Sequence, residues 1–380
     1  MNDRIRVLMV MDSLSVGGTE TYVLSLAKVF PRIGVQPVYA GAGGVMYEPY
    51  ARAGCPIHVV DLAAGSLLAP EWQEPVERAL AQIMRWRRID VVHVHQTPSG
   101  LYAAKAAGKL GIPVVFTVHG AYYPAEQLRS LADSGAAFVS VSRPVEAYLA
   151  RQGIASQLIP NGVDASEFYP EPSAKARESI GISPDAQVIV YASRLAWDKA
   201  SACLMLIRAA CALRQGGMGR LRVVIAGDGN QYTAVKELAD AVNAESGDAF
   251  VQMVGNQTEM RRFYNMADVV VGTGRVALEA MTCGKPVLAV GNHGYFGLVH
   301  SDTHEEAWKC YFGDHDSRER PDERRMAEEL AAVLGDPRRL VAIGEANRAW
   351  ALSRFDIQDK AVRLKELYRS LRRNAPKERG

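Results

Sequence analysis

The sequence contains no hydrophobic run long enough to cross a membrane. Near the start, only five apolar residues, Val7–Met11, follow one another before Asp12, and a signal-peptide core or a transmembrane helix needs a longer stretch. Nowhere else is there a span of about 18 uncharged apolar residues. We therefore expect a cytoplasmic protein that is soluble or attached to a membrane only peripherally.

Paired cysteines and an excess of one charge are also missing. The five cysteines form no C-x-x-C pair and are odd in number. This argues against a disulfide framework and favours reduced, mostly buried thiols. The 44 basic residues nearly cancel the 42 acidic ones. Since so small a net charge creates no global field that attracts nucleic acid, we expect no nucleic-acid partner.

The sequence does contain an alternation of short β-rich apolar runs with helical patterns. Continuous apolar runs are typical of parallel strands buried on both faces. The alternation pauses at residues 159–175, which are rich in Pro, Asn, Gly and Ser, and then restarts. We predict an α/β fold of two Rossmann-like, doubly wound parallel-sheet domains that face a cleft. The domains are residues 1–165 and 166–356, and a C-terminal helix at about 357–380 packs back on the first domain.

Two glycines, Gly17 and Gly18, follow the first predicted strand. Glycine lets the backbone approach a ligand closely, and the N-terminus of the next helix favours an anion or sugar hydroxyls. A tight strand-to-helix turn explains the same pair of glycines, so both interpretations stay open. No third glycine follows at the spacing of a dinucleotide fingerprint.

Histidines raise the question of a metal site. His93 and His95 lie two apart on a predicted strand and therefore point to the same face, but no third ligand is adjacent, and zinc needs three or four. His300 and His304, four apart, are interpreted in the same way, as structural residues. His119 differs because it follows the carboxyl end of a predicted strand, where ligands bind in doubly wound folds. We predict no metal site.

Two cations, Arg194 and Lys199, follow the first predicted strand of the second domain. Two fixed positive charges at that place can neutralise a diphosphate; a solvated surface pair is the alternative. The next predicted strand leads into Gly227 and Gly229, a second loop that exposes backbone and is a weak signal by itself.

The segment Gly272-x-Gly274-x-x-Ala277 matches part of a dinucleotide fingerprint. The full fingerprint requires an acidic residue at the end of the following strand, about 20 residues on, and here that strand ends without one. The segment also lies late in the second domain instead of after its first strand. We therefore exclude NAD and predict a phosphate cradle at a helix N-terminus. Its backbone comes from Gly272, Thr273 and Gly274, and Arg275 adds positive charge.

In this order along the chain, these segments resemble those of the retaining glycosyltransferases of family 4, which have the GT-B fold. The resemblance covers nearly the whole chain, and although each motif is short, the ordered set is specific. The segments are Gly17-Gly18-x-Glu20, VHVHQT, FTVHG, VSVS, Ile159–Asp164, Arg194 with Lys199, AGDGN and LEAMTCGKPVLA.

The resemblance implies that the second domain binds a nucleotide-diphosphate sugar as co-substrate. The first domain then carries the acceptor hydroxyl, on a sugar, a lipid-linked molecule or a small molecule. Transfer proceeds with retention, without a cofactor or an obligatory metal, by positioning and charge stabilisation.

The resemblance also assigns residues to roles. Arg194 and Lys199 neutralise the donor diphosphate, and Glu279 hydrogen-bonds the ribose. The catalytic residues are His119, Arg194 and Lys199. The donor-binding residues are Gly17, Gly18, Gly227, Gly229, Gly272, Thr273, Gly274, Arg275 and Glu279, and the acceptor-binding residues are Glu20 and His95.

Two positions depart from the family pattern. The family has Glu-(seven residues)-Glu, with the first glutamate against the donor sugar, but Val271 stands eight residues before Glu279. Ala200 stands where a glycine normally follows the lysine. We expect the amides of Gly272–Arg275 to take over part of the sugar contact. Two alternatives stay open: a nucleotide-sugar-binding pseudoenzyme that serves as a partner subunit, and a nucleotide-sugar epimerase, which needs paired acid/base groups.

Basic residues beside an aromatic raise the question of peripheral contact with the inner face of the membrane. Such a cluster can hold a protein to an anionic bilayer, which suits a lipid-linked acceptor. Solvated helix faces explain the same charges. The residues are Arg85, Trp86, Arg87 and Arg88 at one helix end and Arg369, Arg372, Arg373, Lys377 and Arg379 in the C-terminal tail.

Overall fold

The computed structural model of the chain describes residues 4–62, 67, 69–291, 294–315, 317 and 322–374, and for residues 197 and 198 the backbone only. Lys377 and Arg379 of the basic tail lie outside the described residues. The chain forms two compact units, Met1–Gly162 with Ile357–Gly380, and Val163–Asp356. The sequence had placed this boundary after residue 165.

The first unit is built on a sheet of seven strands in the order β3-β2-β1-β4-β5-β6-β7, with every neighbouring pair parallel. The strand order runs one way from β1 to β3 and the other way from β4 to β7. The strands are Ile5–Ser13 (β1), Val35–Ala42 (β2), Ile57–Val59 (β3), Val91–Val94 (β4), Val114–Val118 (β5), Ala137–Ser140 (β6) and Ser156–Leu158 (β7).

Helices cover both faces of this sheet because successive strand residues are apolar and point to opposite sides. In β1, Leu8 and Val10 belong to one buried cluster and Val7, Met9 and Met11 to the other. The helices are Gly18–Val29 (α1), Tyr47–Arg52 (α2), Pro70–Arg87 (α3), Ser99–Gly108 (α4), Ala125–Asp133 (α5), Arg143–Arg151 (α6) and, from the end of the chain, Ile357–Asn374 (α15).

The C-terminal helix α15 packs on α1, β1 and β4. Its Leu364 and Tyr368 are fully buried, and the Tyr368 ring lies edge-on to Phe30 with centroids 6.0 Å apart. The Tyr368 hydroxyl lies 2.6 Å from Nδ1 of His93, whose Nε2 lies 2.7 Å from the Thr117 hydroxyl. A buried histidine with both nitrogens hydrogen-bonded therefore joins α15 to the centre of the sheet.

The second unit has a sheet of six strands in the order β10-β9-β8-β11-β12-β13. All neighbours are parallel except β13, which runs antiparallel to β12. The strands are Gln187–Ala192 (β8), Leu221–Ala226 (β9), Val251–Gly255 (β10), Val269–Gly272 (β11), Val287–Gly291 (β12) and Gly294–Val299 (β13). The helices are Ala174–Glu178 (α7), Trp197–Gln215 (α8), Tyr232–Ser246 (α9), Met260–Met266 (α10), Gly274–Thr282 (α11), His304–Lys309 (α12), Glu323–Leu334 (α13) and Pro337–Phe355 (α14).

These two sheets confirm the predicted fold class, two Rossmann-like α/β domains. The sequence pattern does not predict the two edge strands β7 and β13. The first is only three partly exposed residues long, and the second contains two glycines, which are poor strand formers. Pairing with a neighbour, and not local propensity, makes these segments strands.

The segment where the alternation pauses, residues 159–175, contributes side chains to the cores of both units. Ile159 lies in the core of the first unit and Phe168 in the core of the second. The chain passes from one unit to the other between Gly162 and Val163. A side chain at residue 162 would meet the backbone of Ile357 at 2.7 Å, so glycine is required there for close packing.

The five cysteines are free, and all but Cys211 are buried. Burial raises the pKa of the Cys55 and Cys283 thiols to about 12, which keeps them protonated and unreactive. Within the described ranges, no helix combines the length and apolar character required to cross a membrane.

The buried His93 predicts an acid-sensitive fold. Burial lowers the pKa of His93 from 6.5 to about 3, so the native state keeps this ring neutral while the unfolded chain binds a proton below pH 6.5. The contribution of the neutral His93 ring to the free energy of unfolding is therefore fully present above pH 6.5 and is lost as the pH falls below it. Between pH 7.5 and 5, His93 should account for a loss of about 2 kcal/mol in the free energy of unfolding.

The measurement is urea unfolding at a series of pH values for the wild type and for His93→Gln. The variant should lose about 2 kcal/mol less than the wild type over this range. Tyr368→Phe is the control, because it removes a hydrogen bond from His93 but keeps the titrating ring, and it should retain the full pH dependence. Equal pH dependence in His93→Gln and wild type would show that His93 is not held neutral.

Candidate functional site

The carboxyl ends of β8 and β11 form the switch point of the second sheet. β8 leads to β9 and β10 on one side, whereas β11 leads to β12 and β13 on the other. The loops after two such strands diverge and leave a crevice, which is where open α/β sheets bind ligands. The loop after β8 carries Arg194, and the turn after β11 carries Gly272–Arg275.

Arg194 and Lys199 both lie at this switch point. Arg194 is exposed. Lys199, in the first turn of α8, is partly buried, and its Nζ lies 3.3 Å from Oδ1 of Asp314. The buried Tyr191 at the end of β8 donates a hydrogen bond of 2.6 Å to the Lys199 carbonyl, which fixes the start of α8 against the strand. The backbone of Lys199 is thus held in a fixed position at the switch point.

The turn from β11 to α11 has the backbone of an anion-binding helix N-terminus. Thr273 is the extended N-cap residue, and Gly274 begins the helix with φ 54°, a left-handed value that favours glycine. The first amides of a helix have no partner inside it. The Thr273 hydroxyl makes no capping hydrogen bond to them and instead donates to the Phe312 carbonyl at 2.7 Å.

The side chains on α11 form a buried cluster. Glu279 is 5% exposed; its Oε2 accepts a hydrogen bond of 2.8 Å from the Tyr264 hydroxyl, and its Oε1 lies 2.6 Å from Nε of Arg275. Burial raises the pKa of Glu279, while Arg275 and Tyr264 oppose that shift. The structure therefore places the expected phosphate-contacting Arg275 and the expected ribose-contacting Glu279 in one intramolecular ion pair.

Gly227 and Gly229 contact the loop after β8. Their φ values are 154° and 157°. A side chain at residue 227 would lie 1.9 Å from the Ser193 carbonyl oxygen, and one at residue 229 would lie 2.4 Å from the Leu195 carbonyl oxygen. The loop that carries Arg194 can approach β9 only because both residues are glycine. Their contribution to the site is to position that loop.

In the first unit, the switch point lies between β1 and β4. Gly17 precedes α1, and Gly18 begins it with open space where a side chain would be. Glu20 is buried, and its Oε1 accepts a 2.9 Å hydrogen bond from Nε2 of Gln96. Oε1 of Gln96 accepts from the Asp12 amide at 2.7 Å. The network joins the ends of both strands and orients the Glu20 carboxylate.

Three histidines follow one another beside this switch point. The His93 and His95 ring centroids lie 4.1 Å apart, and Nδ1 of His95 lies 3.2 Å from Nε2 of His119. Tyr22 lies edge-on to His119, with ring centroids 5.6 Å apart. Burial lowers the pKa of His95 well below its ordinary value, so this ring is neutral. His95 is fully buried, and its Nδ1 contacts His119.

The histidines were also the candidates for a metal site. No group of three or more His, Cys, Asp or Glu side chains is placed to hold a metal ion in the part of the chain that the structure describes. His304 instead bonds Asn347 at 2.7 Å and stacks on Trp350 with centroids 4.6 Å apart. His300 lies 3.9 Å from Asp302.

Sequence reasoning missed three residues of these sites: Gln96, Tyr264 and Asp314. Gln96 directly follows His95 in the motif VHVHQT, so its position after a predicted strand could have identified it as a site residue. Tyr264 lies one helix before the cradle, and Asp314 lies 35 positions after Glu279. Neither has a local pattern that links it to the site, since the contact arises only from packing.

Two glycosyltransferase profiles match the chain. The profile described as "Glycosyltransferase Family 4" matches residues 16–167, and the one described as "Glycosyl transferases group 1" matches residues 186–353. Together they span most of the chain.

Individual relatives agree with these profiles. A D-inositol 3-phosphate glycosyltransferase of Thermobispora bispora is 29% identical and covers 90% of this chain and 81% of its own length. A GDP-mannose-dependent alpha-(1-6)-phosphatidylinositol monomannoside mannosyltransferase of Mycolicibacterium smegmatis is 31% identical over 55% of each chain.

A solved structure shows the same fold. Anabaena Alr3699/HepE, in complex with UDP and glucose, superposes with a TM-score of 0.76 at 20% identity, over 97% of this chain and 100% of its own. The chain therefore belongs to the family 4 glycosyltransferases and is a glycosyltransferase of GT-B fold.

Proposed function

We propose that the protein transfers a sugar from a nucleoside-diphosphate sugar to an acceptor hydroxyl with retention of configuration. The observation that carries the proposal is the switch point of the second sheet, where Arg194, Lys199 and the N-terminus of α11 converge. Two cations and a helix N-terminus suit a diphosphate. One relative is named as GDP-mannose-dependent, and Anabaena Alr3699/HepE, which shares the fold, was also solved in complex with UDP-glucose.

In the proposed reaction, the acceptor oxygen bonds to the anomeric carbon on the face that the diphosphate leaves. The bond between that carbon and the diphosphate oxygen breaks, and the proton of the acceptor hydroxyl passes to the departing diphosphate. Arg194 and Lys199 stabilise the charge that develops on the leaving group. Because these side chains supply the positive charge, we propose that the reaction needs no metal.

The first unit supplies our candidates for the acceptor side. His119, held by His95, is proposed at the reacting centre, and Glu20, held by Gln96, is proposed to accept hydrogen bonds from acceptor hydroxyls. The acceptor is a sugar, a lipid-linked molecule or a small molecule. The Thermobispora relative is named for an inositol phosphate acceptor and the Mycolicibacterium relative for a phosphatidylinositol mannoside.

The donor proposal is tested by thermal shift with UDP-, GDP-, ADP- and TDP-sugars, because a ligand that binds only the folded state raises its stability. At least one should raise the melting temperature. Lys199→Ala should weaken binding of that donor at least about tenfold, since it removes a charged hydrogen bond. Lys236→Ala, on an exposed lysine paired with Asp240, is the matched control and should bind normally.

The outcomes separate the alternatives. A folded wild type that responds to none of the four nucleotide sugars contradicts the transferase proposal. Binding without transfer to any acceptor identifies the pseudoenzyme, and conversion of the donor to its epimer without an acceptor identifies the epimerase.

Glu279 is proposed to bind the ribose while Tyr264 and Arg275 keep its carboxylate ordered. Glu279→Gln leaves the guanidinium of Arg275 buried without its counter-ion, so stability should fall by about 3 kcal/mol. Donor binding should weaken at least about tenfold. Tyr264→Phe keeps the charge pair and should change donor affinity less than about threefold. Donor affinity of the folded Glu279→Gln variant is measured by calorimetric titration. If it is unchanged, Glu279 has only a structural role.

Peripheral membrane contact is proposed through α3. This helix exposes Trp72 (61%) and Trp86 (68%), which lie 14 positions apart and therefore on nearly the same face, about 21 Å from each other along the axis. Arg85 and Arg88 lie beside Trp86 and are also exposed. Exposed tryptophans flanked by arginines suit the interface of an anionic bilayer.

Flotation with vesicles tests this proposal. At low salt the protein should rise with phosphatidylglycerol vesicles and not with phosphatidylcholine ones, and the double change Trp72→Ser and Trp86→Ser should abolish the effect. Val341→Ser, at an exposed position of the second unit, is the control. No flotation of the wild type at low salt excludes the membrane contact.

A further inference from the structure

An unusual turn follows α12. Tyr311, Phe312 and Gly313 have φ values of 51°, 58° and 83°, so three consecutive residues are left-handed. For the two residues with aromatic side chains this is a sparsely populated conformation that persists only when its surroundings hold it. We call residues 311–313 the left-handed turn.

Aromatic packing holds the left-handed turn in place. Phe312 is fully buried, and its ring centroid lies 6.2–6.5 Å from those of Trp308, Trp350 and Phe355. Its amide donates to the Ala307 carbonyl at 2.7 Å. Burial of a large ring in this cluster offsets the unfavourable backbone conformation.

The same turn is attached to the proposed phosphate cradle. The Thr273 hydroxyl donates to the Phe312 carbonyl at 2.7 Å. The Tyr311 ring covers Gly274 so closely that a Cβ on that glycine would lie 3.2 Å from Cε1. A Cβ at Gly291 would meet the Gly313 carbonyl oxygen at 2.4 Å. The left-handed turn and the cradle are therefore one packed structure.

Asp314 follows directly after the left-handed turn. Its side chain pairs with Lys199, the residue proposed to bind the diphosphate. Its Oδ1 lies 3.3 Å from Nζ of Lys199, and the two side chains are 21% and 28% exposed. The Asp314 Oδ1 atom itself is buried, with no hydrogen bond among the residues that the structure describes. A carboxylate is thus held beside the cation, at the carboxyl ends of β8 and β11.

A carboxylate in this position cannot be a phosphate ligand, because like charges repel. It accepts hydrogen bonds only, from cations or from neutral hydroxyl groups. In a nucleoside-diphosphate sugar, hydroxyl groups lie on both sides of the diphosphate, on the ribose and on the transferred sugar, and Glu279 is already the proposed partner of the ribose. Building on the proposed donor site, we propose that Asp314 accepts hydrogen bonds from hydroxyls of the transferred sugar and so selects the donor. The left-handed turn fixes its position.

The proposal predicts that a change at Asp314 lowers turnover of the nucleotide sugar without weakening binding of the nucleotide itself. Wild type and variants are titrated with UDP and GDP by calorimetry, and turnover is measured with UDP-glucose and GDP-mannose. In Asp314→Asn, a carboxylate that competes for Lys199 is gone, so the nucleoside diphosphate should bind as tightly as to wild type or up to about tenfold more tightly. The kcat/KM for the nucleotide sugar should fall at least about tenfold, because a charged hydrogen bond to the sugar is lost.

Two further variants complete the test. Asp314→Glu keeps the charge but moves the carboxylate, so nucleotide affinity should stay within about threefold while turnover falls. Asp302→Asn, at a carboxylate that is 89% exposed in the same unit, should change neither quantity.

Two results overturn this inference alone: unchanged turnover in Asp314→Asn, or equal weakening of nucleotide and nucleotide-sugar binding, which a purely structural ion pair produces. A wild type that binds neither nucleotide overturns the donor site itself, and this inference with it.

Discussion

Parallel strand pairing is the constraint on which both sites depend. When the strands on both sides of the switch point are parallel, the loops at their carboxyl ends collect along one edge of the sheet, and they diverge where the strand order reverses. In the second unit this reversal falls between β8 and β11. Arg194, Lys199 and the first amides of α11 are brought together there although about 75 residues separate them along the chain.

Charge at this edge is organised by carboxylates as well as cations. Lys199 faces Asp314, and Arg275 faces Glu279. Burying a cation costs free energy unless a counter-ion accompanies it, so these internal pairs keep the Lys199 and Arg275 side chains ordered. At the proposed donor site, a diphosphate competes with the two carboxylates for the same cations, so the anchoring of the carboxylates affects where it binds.

At the switch point of the first unit, the buried groups are neutral histidines instead of ion pairs. His93 and His95 are neutral because burial opposes their charge, and they connect the C-terminal helix, through Tyr368, to His119 at the sheet edge. Glu20 is similarly held through Gln96. In both networks a buried neutral group orients a polar group near the edge, which keeps the site rigid without exposing the core.

The sequence by itself determined the fold class, the positions along the chain of β1, β4, β8 and β11, and the places of Arg194, Lys199, His119 and the Gly272–Arg275 turn after predicted strands, because apolar periodicity and glycine spacing are local properties. It did not reveal that Glu279 is already paired, that Gly227 and Gly229 contact their own chain, or that Asp314 meets Lys199. Only the tertiary structure decided these points. The aromatic packing that fixes the turn at residues 311–313 involves side chains scattered from Trp308 to Phe355, and no short-range pattern records which of them touch.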